Sequence, residues 1–178
     1  MPLNKNNNIL RLNVGFLLKE GVGFSREITF DEPLVQVAND LTVSHLQGVL
    51  HLTRTPQGLY AEARLRATVR AECVRCLTET HQTLSSRISE LYIYPPETAP
   101  EGALTVGDDL NLDLASVVRE DMLISMPMRL LCRPDCKGLC PHCGQNWNEG
   151  PCDCEDEKVD PRLAALSQLL KEAPESKS

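Results

Sequence analysis

Eight cysteines set the terms on which this chain can fold, because they fall in close groups: Cys73-Val-Arg-Cys76, then Cys132, Cys136, Cys140 and Cys143, then Cys152-Asp-Cys154. A two-residue gap between thiols makes a tight loop that turns both sulfurs to one side, within reach of a tetrahedral ion at about 2.3 Å. Gly144, directly after Cys143, supplies the backbone freedom such a knuckle needs. The six cysteines from 132 to 154 are interleaved with Pro134, Gly138, Pro141, Gly144, Gly150 and Pro151. A segment of this kind cannot build an apolar core, and a bound ion would supply the missing folding energy. Structural zinc is the leading reading. Three others compete with it: disulfides, which suit an oxidising compartment, an iron–sulfur cluster on four thiolates, and free or redox-active thiols. A thioredoxin-like use of Cys73 and Cys76 needs a strand–helix context, whereas the flanks here read as strand on both sides.

The eight thiols divide into two sets of four. Loop closure favours Cys140, Cys143, Cys152 and Cys154 as one set, leaving Cys73, Cys76, Cys132 and Cys136 as the other. The alternative places Cys132 and Cys136 with Cys152 and Cys154. Either division leads to two Zn2+ ions with closed coordination, whereas a catalytic zinc keeps a position open. His142 is a candidate substitute ligand, but it reads more simply as a solvent-facing loop residue. No H-E-x-x-H, G-x-S-x-G, P-loop or G-x-G-x-x-G run is present. The expectation is a protein with no enzymatic activity and no small-molecule substrate.

Charge narrows the partners. Eighteen Lys and Arg against 25 Asp and Glu leave −7, the wrong sign for bulk attraction to nucleic acid. Contact with RNA would need a local basic patch. No run of 18 apolar residues exists, and MPLNKNNN at the start has neither a basic flank nor an apolar stretch, so no membrane association is expected and the expected compartment is cytoplasmic.

Aromatics are only 4%, so the core must rest on Leu, Val, Ile and Ala. From Ile9 to Tyr94 the pattern is mostly strand-like, and it is clearest over residues 43–72. There Leu46, Leu50 and Leu52 alternate with polar residues, and Ala61, Ala63, Leu65, Ala67, Val69 and Ala71 do the same. Thr55-Pro56-Gln57-Gly58 is a turn between the two strands. Pairing Thr55 with Gly58 puts Leu50 against Ala63 and His51 against Glu62, and a one-residue slip would mix the faces. A third strand over about Glu79–Tyr94 makes a meander whose second turn is the Cys73–Cys76 knuckle. Residues 95–109 read as a loop, Asp113 as the cap of a helix near 113–126 that ends before Pro127, and Asp160-Pro161 as the start of a helix over 158–172. The predicted class is α+β: an antiparallel β meander or barrel-like sheet with one or two helices and a Cys-rich metal-binding segment. The predicted divisions are a disordered start at 1–8, a body at 9–127, the zinc segment at 128–157, the C-terminal helix, and a flexible tail at 173–178.

C-V-R-C-L in mid-chain, followed by L-C-R-P-D-C-K-G-L-C-P-H-C-G-Q-N-W-N and C-D-C, resembles the YceD family from about residue 25 to 170. The resemblance implies a non-enzymatic part in synthesis, processing or stability of large-subunit ribosomal RNA, and it brings no defined catalytic residue. The implied partners are that RNA or its precursor, with ribosomal proteins as the second class. Arg64, Arg66 and Arg70 share one strand face and are the candidate RNA contacts. The plainer reading of that face is a solvated strand side with its arginines paired to nearby acids.

Overall fold

Alternation along four long segments builds the body of the protein, whose computed structural model describes residues 9–154. The strands are β1 (Arg11–Asn13), β2 (Ser25–Ala38), β3 (Leu41–Thr55), β4 (Gly58–Glu72), β5 (Glu79–Ile93) and β6 (Asn111–Asp113). The α-helices are α1 (Gly15–Leu18) and α2 (Ala115–Ile124). β2 to β5 form an antiparallel meander in chain order, and β1 pairs with β6 in a separate ribbon. In the β3–β4 hairpin Thr55 pairs Gly58, Leu50 pairs Ala63, His51 pairs Glu62 and Gln47 pairs Arg66. Apolar residues therefore stack on one face, with Leu50, Leu52 and Ala61 fully buried. β5 runs in unbroken register along β4, from Ile93 opposite Gly58 to Glu79 opposite Glu72.

The alternation changes phase once. Between Ser44 and Gln47 the β3–β4 register slips, and His45 takes a φ of 51°. On the other side of β3, the pairing with β2 skips Pro33, which has no N–H to give. Val43 and Leu46, three residues apart, are both fully buried as a result. Such a bulge bends and twists its strand. The meander coils far enough that α2 touches both of its outer strands, β2 and β5.

The helix also covers the free edge of β5. Asp121 accepts a hydrogen bond from the Arg87 N–H at 3.0 Å, and Ser125 Oγ donates to the Ser85 carbonyl at 3.1 Å. On the β2–β3 side, Arg119 grips Asp40 with two nitrogens, at 2.8 and 2.5 Å. Asp113 Oδ1 accepts from the Ala115 N–H at 2.8 Å, which satisfies one of the free donors at the start of α2. Val118 and Met122 point from α2 into the core beside Val14, Leu17, Leu112 and Leu114. The stretch read as a loop at 95–109 contains a short 3-10 turn at Pro96–Thr98 and a fully buried Val106.

The start at 1–8, the helix expected over 158–172 with Leu163, Leu166, Leu169 and Leu170, and the tail at 173–178 lie outside the described residues. Among the described residues no helix is long and apolar enough to cross a membrane.

Candidate metal centres

The turn from β4 to β5 is the Cys73–Cys76 knuckle. It closes with hydrogen bonds from Cys73 N–H to the Thr78 carbonyl at 3.0 Å and from Leu77 N–H to the Cys73 carbonyl at 2.9 Å. The chain leaving α2 is clasped against this turn: Val74 N–H donates to the Leu130 carbonyl at 2.9 Å, and Leu139 N–H to the Arg75 carbonyl at 3.1 Å. Arg75 Nη1 adds a bond to the Cys136 carbonyl at 2.7 Å. Gly138 passes so close, at a φ of 83°, that a Cβ there would lie 3.1 Å from the Arg75 oxygen.

This clasp brings Cys73, Cys76, Cys132 and Cys136 together, their sulfurs all within 4.8 Å of one another. Cys73 Sγ lies 3.7 Å from Cys136 Sγ, and Cys76 Sγ 3.5 Å from Cys132 Sγ. Four bonds of about 2.3 Å to one tetrahedral ion would place sulfurs about 3.8 Å apart. The spacing thus suits one mononuclear ion. A polynuclear cluster attaches its thiolates to separate irons and spreads them wider. The second set, Cys140, Cys143, Cys152 and Cys154, obeys the same 4.8 Å limit. Its knuckle is closed by Gly144 N–H to the Cys140 carbonyl at 2.9 Å, with Gly144 in the left-handed region at a φ of 75°. This is the division that short loops favour, not the swapped one. All eight thiols are free of disulfides, and exposed His142 belongs to neither set.

Ionisation of the thiols is graded. Burial opposes a charge on Cys73, but the backbone N–H groups of Cys132, Cys76 and Arg75 outweigh it and bring the thiol down to about 6. Cys140 comes down to about 6 mainly through the Cys143 backbone, against burial. The later thiolates are resisted: Cys132 is pushed up to about 12 by its contact with Cys76 and by burial, and Cys154 to about 12 by Cys143 and burial. Four thiolates crowd too much negative charge into one place unless a cation sits among them. The donor chemistry of both sets fits a divalent ion.

Two residues beside the cysteines tie the sets together, and sequence reasoning missed both. Trp147 Nε1–H donates to Cys152 Sγ at 3.3 Å, while Asn148 Nδ2 donates to Cys136 Sγ at 3.4 Å. Asn148 Oδ1 in turn accepts from Arg133 Nη2 at 2.8 Å and from the Lys137 N–H at 2.9 Å. The Q-N-W-N run held the signal, since polar side chains between knuckles commonly orient metal ligands. Asn148→Ala should weaken metal binding by about tenfold or more, measured by competition with a chromophoric chelator. An unchanged affinity would make the contact incidental.

Arg64, Arg66 and Arg70 are exposed along β4, on the face away from the core. Arg70 approaches Glu79 at 4.0 Å, Gln47 beside Arg66 donates to Asp31 at 2.9 Å, and His51 lies 3.6 Å from Glu27.

Residues 61–170, well over half of the chain, match the family described as Large ribosomal RNA subunit accumulation protein YceD. The chain belongs to the YceD family. The matched region holds all eight cysteines and the three β4 arginines. An uncharacterised protein of Mycobacterium tuberculosis H37Rv is 31% identical over 131 residues, which is 71% of this chain and 62% of that protein. Bacillus subtilis YlbN, also uncharacterised, is 30% identical over 106 residues, 58% of this chain and 62% of its own. A chloroplastic YCED homolog of Arabidopsis thaliana, named as a large ribosomal RNA subunit accumulation protein, is 22% identical over 154 residues, covering 70% of this chain and 48% of that one. The YceD chain thus spans about 62% of the length of the mycobacterial and Bacillus relatives. No solved structure matches it. The family name describes accumulation of an RNA and no chemical reaction.

Proposed function

We propose that this protein is a non-enzymatic, cytoplasmic factor in ribosome biogenesis that supports synthesis, processing or stability of large-subunit ribosomal RNA. Family membership carries the reading. Of two structural Zn2+ ions, one on the first four-thiol set holds the segment after α2 to the β-rich body, and the other closes residues 140–154 on themselves. Four thiolate ligands leave no open position on either ion, so the metals act in folding and not in catalysis.

Direct contact with RNA falls to the exposed face of β4, where Arg64, Arg66 and Arg70 repeat every two or four residues, about 7 Å per two residues along the strand. Against a net charge of −7, such contact should be modest in affinity and steeply dependent on salt. A triple Arg→Glu variant at these positions, with an unchanged circular dichroism spectrum and melting point, should lose binding to ribosomal RNA. Wild-type binding with an unchanged slope of log K against log salt would remove RNA from that face. The second reading, a zinc-stapled adaptor for basic ribosomal proteins, would then lead. The acidic balance of the chain favours it, deepened by −2 for each zinc held on four thiolates. Crosslinking in cells, with identification of both attached RNA and attached proteins, separates the two.

A further inference from the structure

The exposed face of the meander contains a charge arrangement that the fold does not need. Arg87 on β5 stands directly opposite Arg64 on β4. Its N–H turns away from β4 to reach Asp121 at 3.0 Å. The two arginines therefore form a non-hydrogen-bonded pair, the narrower kind, with Cα atoms about 4.5 Å apart and side chains at their closest. Arg66 follows two residues along β4, about 7 Å away on the same face. Like charges facing each other across strands destabilise a sheet. Relief by acids is absent: among the described residues, none of the three has a carboxylate within 4.0 Å. Arg64 and Arg87 also border a depression of about 630 Å³, with Gly48 and Val49 among its lining residues.

Three guanidinium groups without a carboxylate partner among the described residues, each offering a planar fork of donors, match the oxygens of successive phosphates along one strand. Acids at Glu27 and Glu62 bound the same depression, which disfavours a broad anionic surface and favours a narrow polyanion laid along the arginines. We infer that Arg87 joins Arg64 and Arg66 in a two-strand clamp for the phosphodiester backbone of single-stranded RNA. This clamp rests on the RNA reading above and extends it to a second strand, β5. A bound phosphate between Arg64 and Arg87 would relieve their repulsion, so the sheet is poised for an anion at this row.

The test uses the full chain loaded with zinc and single-stranded oligonucleotides tiled from large-subunit ribosomal RNA, titrated by fluorescence anisotropy over a range of salt. Arg87→Gln should make the slope of log K against log salt shallower by about 0.7, the loss of one single-strand phosphate contact. If affinities match at 1 M salt, that slope corresponds to about fivefold weaker binding at 0.1 M. The melting temperature of this variant should stay level or rise, because a like-charge pair is removed. Arg129→Gln, which removes the same charge from an exposed site after α2, controls for bulk attraction. Wild-type behaviour of Arg87→Gln, or an equal loss in Arg129→Gln, overturns the clamp and leaves the RNA reading standing. Failure of the wild-type chain to bind any oligonucleotide overturns both.

Discussion

Replacing Cys76 by Ser should destabilise the protein by more than about 4 kcal/mol, the scale reserved for losing a metal, and lower its melting temperature by roughly 10 °C or more. The reason lies in what this set of thiols connects. Cys76 and Cys132 are 56 positions apart, and Cys73 and Cys136 are 63 apart. An ion there holds the β4–β5 turn to the segment after α2, and without it little but the hydrogen bonds of Val74, Arg75 and Leu139 keeps the two together. Cys143→Ser should do less. Its set spans only residues 140 to 154, so losing it should unfold about Leu139–Cys154 and spare the hairpin. Equal melting losses from the two variants would contradict this ranking.

Removing the metal altogether should release two ions per chain, colourless in the loaded state. Trp147 is the only tryptophan of the chain, and its indole N–H touches Cys152 Sγ, so its emission should move to longer wavelength as the second set falls open. Amide exchange should become fast across residues 131–154 and stay slow in β3 and β4, whose core face is dry and continuous. The segment has few large apolar groups to oppose its chain entropy, so an ion held there would decide its state. One ion per chain, an iron–sulfur absorption band in protein purified without air, or unchanged exchange would each count against this assignment.

Where sequence pattern and structure agree, a single physical rule was enough. The β3–β4 hairpin has a strict two-residue period and a two-residue loop, so only one register keeps Leu50 with Ala63 and His51 with Glu62. For the thiol sets loop closure favoured the observed division but left the swapped one open, and the clasp between the β4–β5 turn and the segment after α2 decides it. β2 was harder to read because its buried positions switch from Phe30 to Val35 across Pro33, an odd interval that no period-two scan accepts. That phase change is set by a bulge in a neighbouring strand. The β1–β6 ribbon is three residues long on each side and joins segments about a hundred positions apart, too short for any periodicity to show. Arg87 was within reach of inference: six residues from Cys73 to Thr78 separate β4 from β5, and counting outward from them places Arg87 opposite Arg64. For Asn148 the Q-N-W-N run signals a ligand-orienting residue but not its partner, because its contact with Cys136 depends on how the two knuckles pack.

The reach of the first thiol set has a consequence in time. Synthesis proceeds at about 5–20 residues per second, and Cys136 is made 63 positions after Cys73. The meander, complete by Ile93, can therefore assemble while its last turn still holds only two of four thiols. From Ile93 to Cys136 is 43 positions, so for about 2 to 9 s on that scale each nascent chain presents a half-built claw at the tip of a finished hairpin. During that interval it is open to oxidants, and to any carrier that hands over an ion bound by two thiolates. The order of translation thus loads a risk onto one turn of this protein, and the local second set, whose cysteines emerge within 15 residues of one another, escapes most of it.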